Sequence, residues 1–350
     1  MSSPNLLSQS ISDLSRSYSS DDHEVIFGIL DWGLGHASRS IAVIKALQSK
    51  RYKITVFSDS LAAELVRKEL PDIPLITSTP YGVKYYFDSI VLNLLFQFPK
   101  ICRAIIGDYL AVDKFIHADK KVIVISDCRF GFFSNKAAIN IFITHQLDIH
   151  YPSKWVSFIF RSINEFFIKK FNLLWIPDLP TNPSLAGKLS HPDRFPIPYS
   201  YIGPLSRYEI HPAPSEDFTL IILSGPEPKR TLLENKLLDV VAQLPNYKFA
   251  IIRGTRSECK RINLPNTQIA DFVTFSELNG LLNSAKRVIS RAGYSSLMDY
   301  HVLGKKALII PTKGQSEQEY LGVLHKNNRN WDVLNEEEIS LVRVEEFLNS

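Results

Sequence analysis

The chain is poor in several things that would narrow its class. Only three cysteines occur in 350 residues, Cys102, Cys128 and Cys259, and none forms a Cys-x-x-Cys pair. That excludes a disulfide scaffold and a thiolate zinc site, and suggests a reducing compartment. No apolar run approaches the roughly 18–20 residues that a membrane-spanning helix needs. The first 22 residues are Ser-rich and polar, without the apolar core of a signal peptide, and read as a disordered tail. Charge of one sign is also scarce. The net charge of +4 is too small to argue for a nucleic-acid partner, and none is expected. No Asp-x-Asp pair occurs, which disfavours a carboxylate-held metal, so neither metal nor cofactor is expected.

What is present is globular: 45% apolar and 22% charged residues, with 21 Phe and 14 Tyr. At roughly 100–200 residues per domain, the length asks for two domains. Short apolar runs at 25–30, 53–57, 74–77, 122–126, 139–144 and 173–176 suit buried parallel strands. Helical spacing separates them at 38–49, 61–70, 87–117 and 154–170. Nine prolines between Pro177 and Pro214 then break any long element. A second alternation follows, with strands at 218–223, 247–253, 267–269, 287–290 and 307–310. Its helices fall at 230–244, 276–284, 294–303 and 317–327, with a last one within 336–349. The pattern predicts two doubly wound α/β domains, 23–205 and 206–350, facing a cleft. The final helix is free to return to the first domain.

Three segments carry candidate chemistry. Asp31-Trp32-Gly33-Leu34-Gly35-His36-Ala37-Ser38-Arg39 joins the first strand to the first helix. Its glycines permit a tight turn, and His36 is placed where an imidazole can take a proton from a hydroxyl. A plain turn with a local cap is the alternative. Ser224-Gly225-Pro226-Glu227-Pro228-Lys229-Arg230 occupies the corresponding place in the second half. It reads either as an ordinary loop or as an anion cradle of backbone amides, Ser224 and two cations. The third segment runs from Ser290-Arg291-Ala292-Gly293 through Asp299 to Pro311, Gln318 and Glu319. Asp299 lies nearly two turns into its helix, where a carboxylate can accept two ribose hydroxyls.

The joint order of these motifs resembles the GT-B glycosyltransferases of the MurG-like type, glycosyltransferase family 28, over nearly all of 24–330. The resemblance implies two Rossmann-like domains, the first holding the acceptor and the second a UDP-sugar. It implies inverting transfer of a hexosyl group, an N-acetylhexosamine among the candidates, to an acceptor hydroxyl. His36 is implied near that hydroxyl, with His36 or Asp127 as the base. Asp299 is implied on the ribose, Gln318 and Glu319 on the sugar, and Val273 to Phe275 beside the uracil. Ser224, Gly225, Lys229, Arg230 and Gly293 are implied at the diphosphate, where Arg253 and Arg291 are further cations for the developing charge. Gly33, Gly35, Arg39, Arg129, His145 and Gln146 fall on the acceptor side, His145-Gln146 matching part of a His-Glu-Gln-Asn segment; Arg129, two residues from Asp127, reads equally as its simple ion-pair partner. The sequence departs from the family where Gly225-Pro226-Glu227-Pro228 replaces a glycine-rich loop, Gln318-Glu319 a Gln pair, and Asp127-Cys128-Arg129-Phe130-Gly131 the acceptor-side glycines.

Two competing functions share these residues. Gly33-x-Gly35-His36-x-x-Arg39 also resembles hydrolases that pass the sugar of a UDP-sugar to water. A sensor that binds without turnover is the other. Residues 154–175 interleave Trp155, Phe158, Phe160, Phe166, Phe167, Phe171 and Trp175 with Lys154, Arg161, Lys169 and Lys170. This segment packs one face on the sheet, or lies on an anionic membrane beside a lipid-linked acceptor. A cytoplasmic protein, peripheral at the inner face of the plasma membrane, is the matching location.

Overall fold

The structure is a computed structural model. It describes residues 6–83, 93, 96–117, 121–148, 154–211, 216–255 and 263–350. His150, Cys259 and the expected helical stretch at 87–92 lie outside the described residues. The chain divides into two units, Met1–Arg207 and Tyr208–Ser350.

The first unit holds a seven-stranded parallel sheet in the order β3-β2-β1-β4-β5-β6-β7. Its strands are β1 (His23–Ile29), β2 (Lys53–Ser58), β3 (Leu75–Thr77), β4 (Lys121–Asp127), β5 (Ile139–Ile143), β6 (Leu173–Ile176) and β7 (Tyr199–Tyr201). Both faces of β1 and β4 are buried, which is why they read as unbroken apolar runs. The helices are α1 (Leu6–Ser17), α2 (Leu34–Ser49), α3 (Ser60–Glu69), α4 (Phe98–Phe115) and α5 (Lys154–Ile168).

The expected tail is corrected here. Residues 6–17 form α1, which buries Leu7, Ile11 and Leu14. Those three recur at helical spacing and pack towards α2 and β7. The Tyr52 hydroxyl ties the helix end down by donating to the Tyr18 carbonyl, with Ser15 Oγ 3.1 Å from the same oxygen. A Ser-rich composition concealed this apolar stripe.

The second unit holds a six-stranded parallel sheet in the order β10-β9-β8-β11-β12-β13. Its strands are β8 (Glu216–Ile222), β9 (Lys248–Ile252), β10 (Thr267–Ala270), β11 (Ala285–Arg291), β12 (Lys306–Ile310) and β13 (Trp331–Val333). Helices α6 (Lys229–Val241), α7 (Phe275–Ser284), α8 (Tyr294–Leu303), α9 (Ser316–Leu324) and α10 (Leu341–Asn349) alternate with them. The last helix stays in this unit: Val344, Phe347 and Leu348 of α10 complete a core with Ile221, Leu237, Phe249 and Ile289.

The two sheets share one construction. Strand order reverses between β1 and β4 in the first and between β8 and β11 in the second. A crevice opens beyond the carboxyl ends of the strands at such a reversal, and that is where ligands bind in doubly wound sheets.

Candidate functional site

At the β1/β4 reversal the register sets Ile29 opposite Asp127. Gly33, at φ 89°, turns the chain into α2, and a Cβ there would meet open space. The position therefore demands a conformation more than room. His36 follows in the first turn of α2. Its Nδ1 lies 2.9 Å from Asp127 Oδ1. Asp127 is fully buried, and Arg39 Nε and Ser40 Oγ both donate to its Oδ2 at 2.8 Å. Arg39 also reaches Oδ1, and donates to Cys128 Sγ at 3.3 Å. His36, Arg39 and Ser40 share a helix face because they stand three and four residues apart. The roles of Ser40 and Cys128 went unread in the sequence, although that spacing is visible there.

This packing defines the imidazole. Nδ1 also stands 2.9 Å from Arg39 Nη2, which can only donate. With the Asp127 carboxylate as its partner, Nδ1 carries a proton and Nε2 is the basic nitrogen, a tautomer assigned from that pair. Burial and the Arg39 charge oppose protonation of His36. Asp127 and Cys128 more than offset them, and the imidazole is pushed up to about 9. Burial would raise Asp127, but Arg39 and His36 hold it well below the usual carboxylate range. The reading of Asp127 as a base is corrected: it is shut from solvent and saturated by donors, so it orients His36. His36 keeps 19% of its side chain exposed. His145 is buried on the same cluster, its Nδ1 3.3 Å from Arg39 Nη1. The Gln146 carbonyl accepts from Asn164 Nδ2 at 2.8 Å.

Arg129 is the second correction on this side. It pairs with neither Asp127 nor the surface. Its five N–H groups all donate inward: to Asp108 Oδ2 (3.0 Å) and Oδ1 (2.6 Å), Asp59 Oδ2 (3.0 Å), and the carbonyls of Ile29 (3.2 Å) and Thr79 (2.7 Å). A fully buried guanidinium with every donor used is a structural hub.

At the β8/β11 reversal of the second unit, Ile222 stands opposite Ser290, and β11 in turn sets Arg291 beside Ile310. The loops after β8, β11 and β12 are knitted together. Lys229 Nζ donates to the Lys313 carbonyl at 2.8 Å, and Arg291 Nη2 donates to the Lys229 carbonyl at 2.9 Å. Gln318 Oε1 accepts from Thr312 N at 2.9 Å, and Glu319 Oε1 from Gly314 N at 2.8 Å. Both side chains thus brace the loop before α9. Gly293 caps α8, whose first amides point out of the helix, and Asp299 is buried further along it. Ser224 and Gly225 are exposed, Gly225 at φ 105°.

Two of the expected diphosphate cations are committed elsewhere. Buried Arg230 pairs with Glu227 (2.6 Å) and Glu234 (2.9 Å), and buried Arg253 with Glu234 (2.5 Å) and Asp271 (2.8 Å). Arg291 also pairs with Glu336 at 2.5 Å, while its Nε and Thr312 Oγ1 are buried without a hydrogen-bond partner. Within this region Ser224, Gly225, Lys313 and Gly314 are exposed, and Gly293 at the α8 N-terminus is half-buried. Val273 lines a cavity of about 470 Å³ with Ala250, Ile252, Ala270, Gly280 and Leu281. Phe275 instead stacks on Tyr208, centroids 5.4 Å apart.

Comparison with known proteins agrees with this architecture. Residues 220–343 match the glycosyltransferase family 28 C-terminal domain. The chain is 24% identical over 316 residues, 85% of it and 81% of the relative, to an uncharacterized glycosyltransferase of Methanosarcina acetivorans. Over 98 residues it is 28% identical to the UDP-N-acetylglucosamine–N-acetylmuramyl-(pentapeptide) pyrophosphoryl-undecaprenol N-acetylglucosamine transferase of Sulfurihydrogenibium sp.. That match spans 28% of this chain and 27% of that enzyme. The crystal structure of the kitacinnamycin glycotransferase superposes with a TM-score of 0.64 at 14% identity, covering 94% of this chain and 90% of its own. The fold is GT-B, and residues 220–343 match the C-terminal domain of family 28 glycosyltransferases.

Proposed function

We propose that this chain is a family 28 glycosyltransferase that moves a hexosyl group, an N-acetylhexosamine, from a UDP-sugar to the hydroxyl of a lipid-linked or cell-envelope glycan, with inversion and without a metal ion. The observation that carries the reading is the His36–Asp127 bond of 2.9 Å, with His36 still open to solvent. His36 Nε2 takes the acceptor proton, and the freed oxygen attacks the anomeric carbon. The bond from that carbon to the diphosphate breaks, and UDP leaves with the bonding electrons. One displacement inverts the centre. Asp127 stabilises the imidazolium formed on His36, as a buried carboxylate beside a base does.

The leaving diphosphate is met by the α8 N-terminus at Gly293 and by the Ser224–Gly225 loop, where free amides and positive potential favour an anion. The Sulfurihydrogenibium relative, a UDP-N-acetylglucosamine-dependent transferase, supports a UDP-N-acetylhexosamine donor. Metal independence rests on charge. His36, Asp127 and Cys128 place three donor atoms within 4.8 Å of one another, but Arg39 lies on the same carboxylate and the same sulfur, and its charge repels a cation.

A thermal-shift panel of UDP-sugars tests the donor, because a ligand of the folded state raises its stability. UDP-N-acetylhexosamines are expected to stabilise the protein most. A stabilising sugar is then incubated without acceptor. Stoichiometric free sugar would make water the acceptor and replace transfer by hydrolysis. Unchanged turnover in His36→Ala at donor saturation would overturn the base assignment.

A further inference from the structure

Arg39 brings more hydrogens to the cluster than Asp127 can take. Asp127 Oδ1 meets His36 Nδ1 and one Arg39 Nη2 hydrogen, and Oδ2 accepts from Arg39 Nε and Ser40 Oγ. Its four acceptor positions are thereby filled. Arg39 Nη1 meets His145 Nδ1 at 3.3 Å. A second Nη2 hydrogen remains, because a guanidinium carries five N–H donors. Nη2 stands 2.9 Å from His36 Nδ1. Aimed there, the spare hydrogen would claim the Nδ1 lone pair and drive the imidazole proton to Nε2. That tautomer has no basic nitrogen at Nε2.

Cys128 offers that hydrogen another acceptor. Its Sγ lies 3.3 Å from Arg39 Nη2. The thiol is itself held, because Cys128 N and Cys128 Sγ both donate to the Ile143 carbonyl at 3.3 Å. With its S–H committed to the end of β5, the sulfur turns its lone pairs towards the guanidinium. Cys128 is half-buried and packs on Leu30, Tyr81 and Ala104. It stands at φ 58°, a left-handed conformation uncommon for such a side chain. Glycine would make the same turn without strain, so the turn alone gives no reason for a thiol. His36 thus faces Arg39 on its own helix and Asp127 and Cys128 at the end of β4, and His145 reaches the cluster through Arg39.

We propose that Cys128 is a positioning residue. Its sulfur accepts the spare Arg39 N–H, keeps that donor off His36 Nδ1, and so holds the imidazole in the tautomer whose Nε2 is basic. The consequence for catalysis rests on His36 as the base of the transfer. The tautomer itself is read without turnover, so the two claims fail separately.

The test compares the full-length wild type with Cys128→Ser, Cys128→Ala and Cys128→Gly. Serine keeps a group that donates to Ile143 and accepts from Arg39. Alanine keeps the strained turn without an acceptor, and glycine relieves the turn without one. Nitrogen NMR of the His36 ring, recorded above the pH at which the imidazolium deprotonates, reads the tautomer. Wild type and Cys128→Ser are expected to show a protonated Nδ1 and a bare Nε2. Cys128→Ala and Cys128→Gly should shift the tautomer ratio about tenfold towards a protonated Nε2, the scale of one hydrogen bond from a charged donor. Turnover of UDP-N-acetylglucosamine should fall in proportion to the lost share of bare Nε2, with its KM unchanged. Circular dichroism checks that the variants are folded. An unchanged tautomer in folded Cys128→Ala and Cys128→Gly overturns the proposal. So does a shift in alanine that glycine abolishes, since it assigns the effect to the turn, and so does a shift in serine as large as in alanine. A shifted tautomer with unchanged turnover keeps the role of Cys128 and removes His36 as the base.

Discussion

The loops after β1 and after β8 are the same device in two chemistries. Each leaves the first strand of its unit at the strand-order reversal, and each turns through a glycine at positive φ, Gly33 at 89° and Gly225 at 105°. The first delivers an imidazole oriented by a buried carboxylate. The second delivers hydroxyl and amide groups, while its nearby arginines are bound to Glu227, Glu234 and Asp271. The difference teaches that a cation near a candidate anion site is no evidence for its use until its partners are known. A buried arginine needs carboxylates of its own.

The largest expected effect separates the loops by chemistry. His36→Ala should lower the transfer rate by about 10²–10⁴ with donor affinity unchanged, the usual worth of a general base. Steady-state kinetics with UDP-sugar titrations check this, and a matching loss of donor affinity would erase the distinction between the two loops.

Stability comes next. Arg129→Met strands Asp59 and Asp108 in the core and should cost about 3–5 kcal/mol. Arg253→Met should cost less, about 1–3 kcal/mol, because Glu234 keeps Arg230 and Asp271 is half exposed. Urea unfolding measures both. A donor-affinity loss in Arg253→Met larger than its stability loss would return that arginine to the diphosphate.

The third contrast is in pH. Only neutral His36 can act as a base, so activity should climb as pH rises through about 9. Stability linked to this proton has the opposite sense: it is full below the unfolded value near 6.5 and fades as pH rises through about 9. Asp127→Asn removes the charge that favours the imidazolium, and should move the activity limb to lower pH while lowering the plateau. A pH–rate profile checks the limb, and NMR titration of His36 checks its owner. The smallest effect concerns the turns. Gly33→Ala and Gly225→Ala each force a side chain into a left-handed conformation with open space around it, at about 1 kcal/mol. Similar shifts in thermal midpoint are expected. A much larger one at Gly225 would mean its loop is less exposed than the first.

Much of this was legible in the chain. The strand runs were readable because both faces of a parallel sheet are buried. The βα alternation implied the doubly wound units, and Gly33, Gly35 and His36 stood at a strand-to-helix junction. Other elements were hidden by local composition. β7 lies in a proline-rich stretch and β13 is three residues long, so neither shows a period. Helix α1 hid in a polar, Ser-rich segment.

Pairing is where sequence stopped. From the chain alone, Arg129 stands two residues from Asp127 and looks like its partner. In the fold, Arg39, 88 positions away, holds Asp127, while Arg129 reaches Asp59 and Asp108. Neighbours along a strand end need not face one another, and Cys128, at φ 58° between them, turns the chain so that they do not. The sequence by itself determined the elements, their order and the residue types at the strand ends, because these follow from local periodicity. Tertiary structure alone decided which carboxylate meets which guanidinium, and with it that His36 is left to act as a base, because burial makes an unpaired charge too costly to leave.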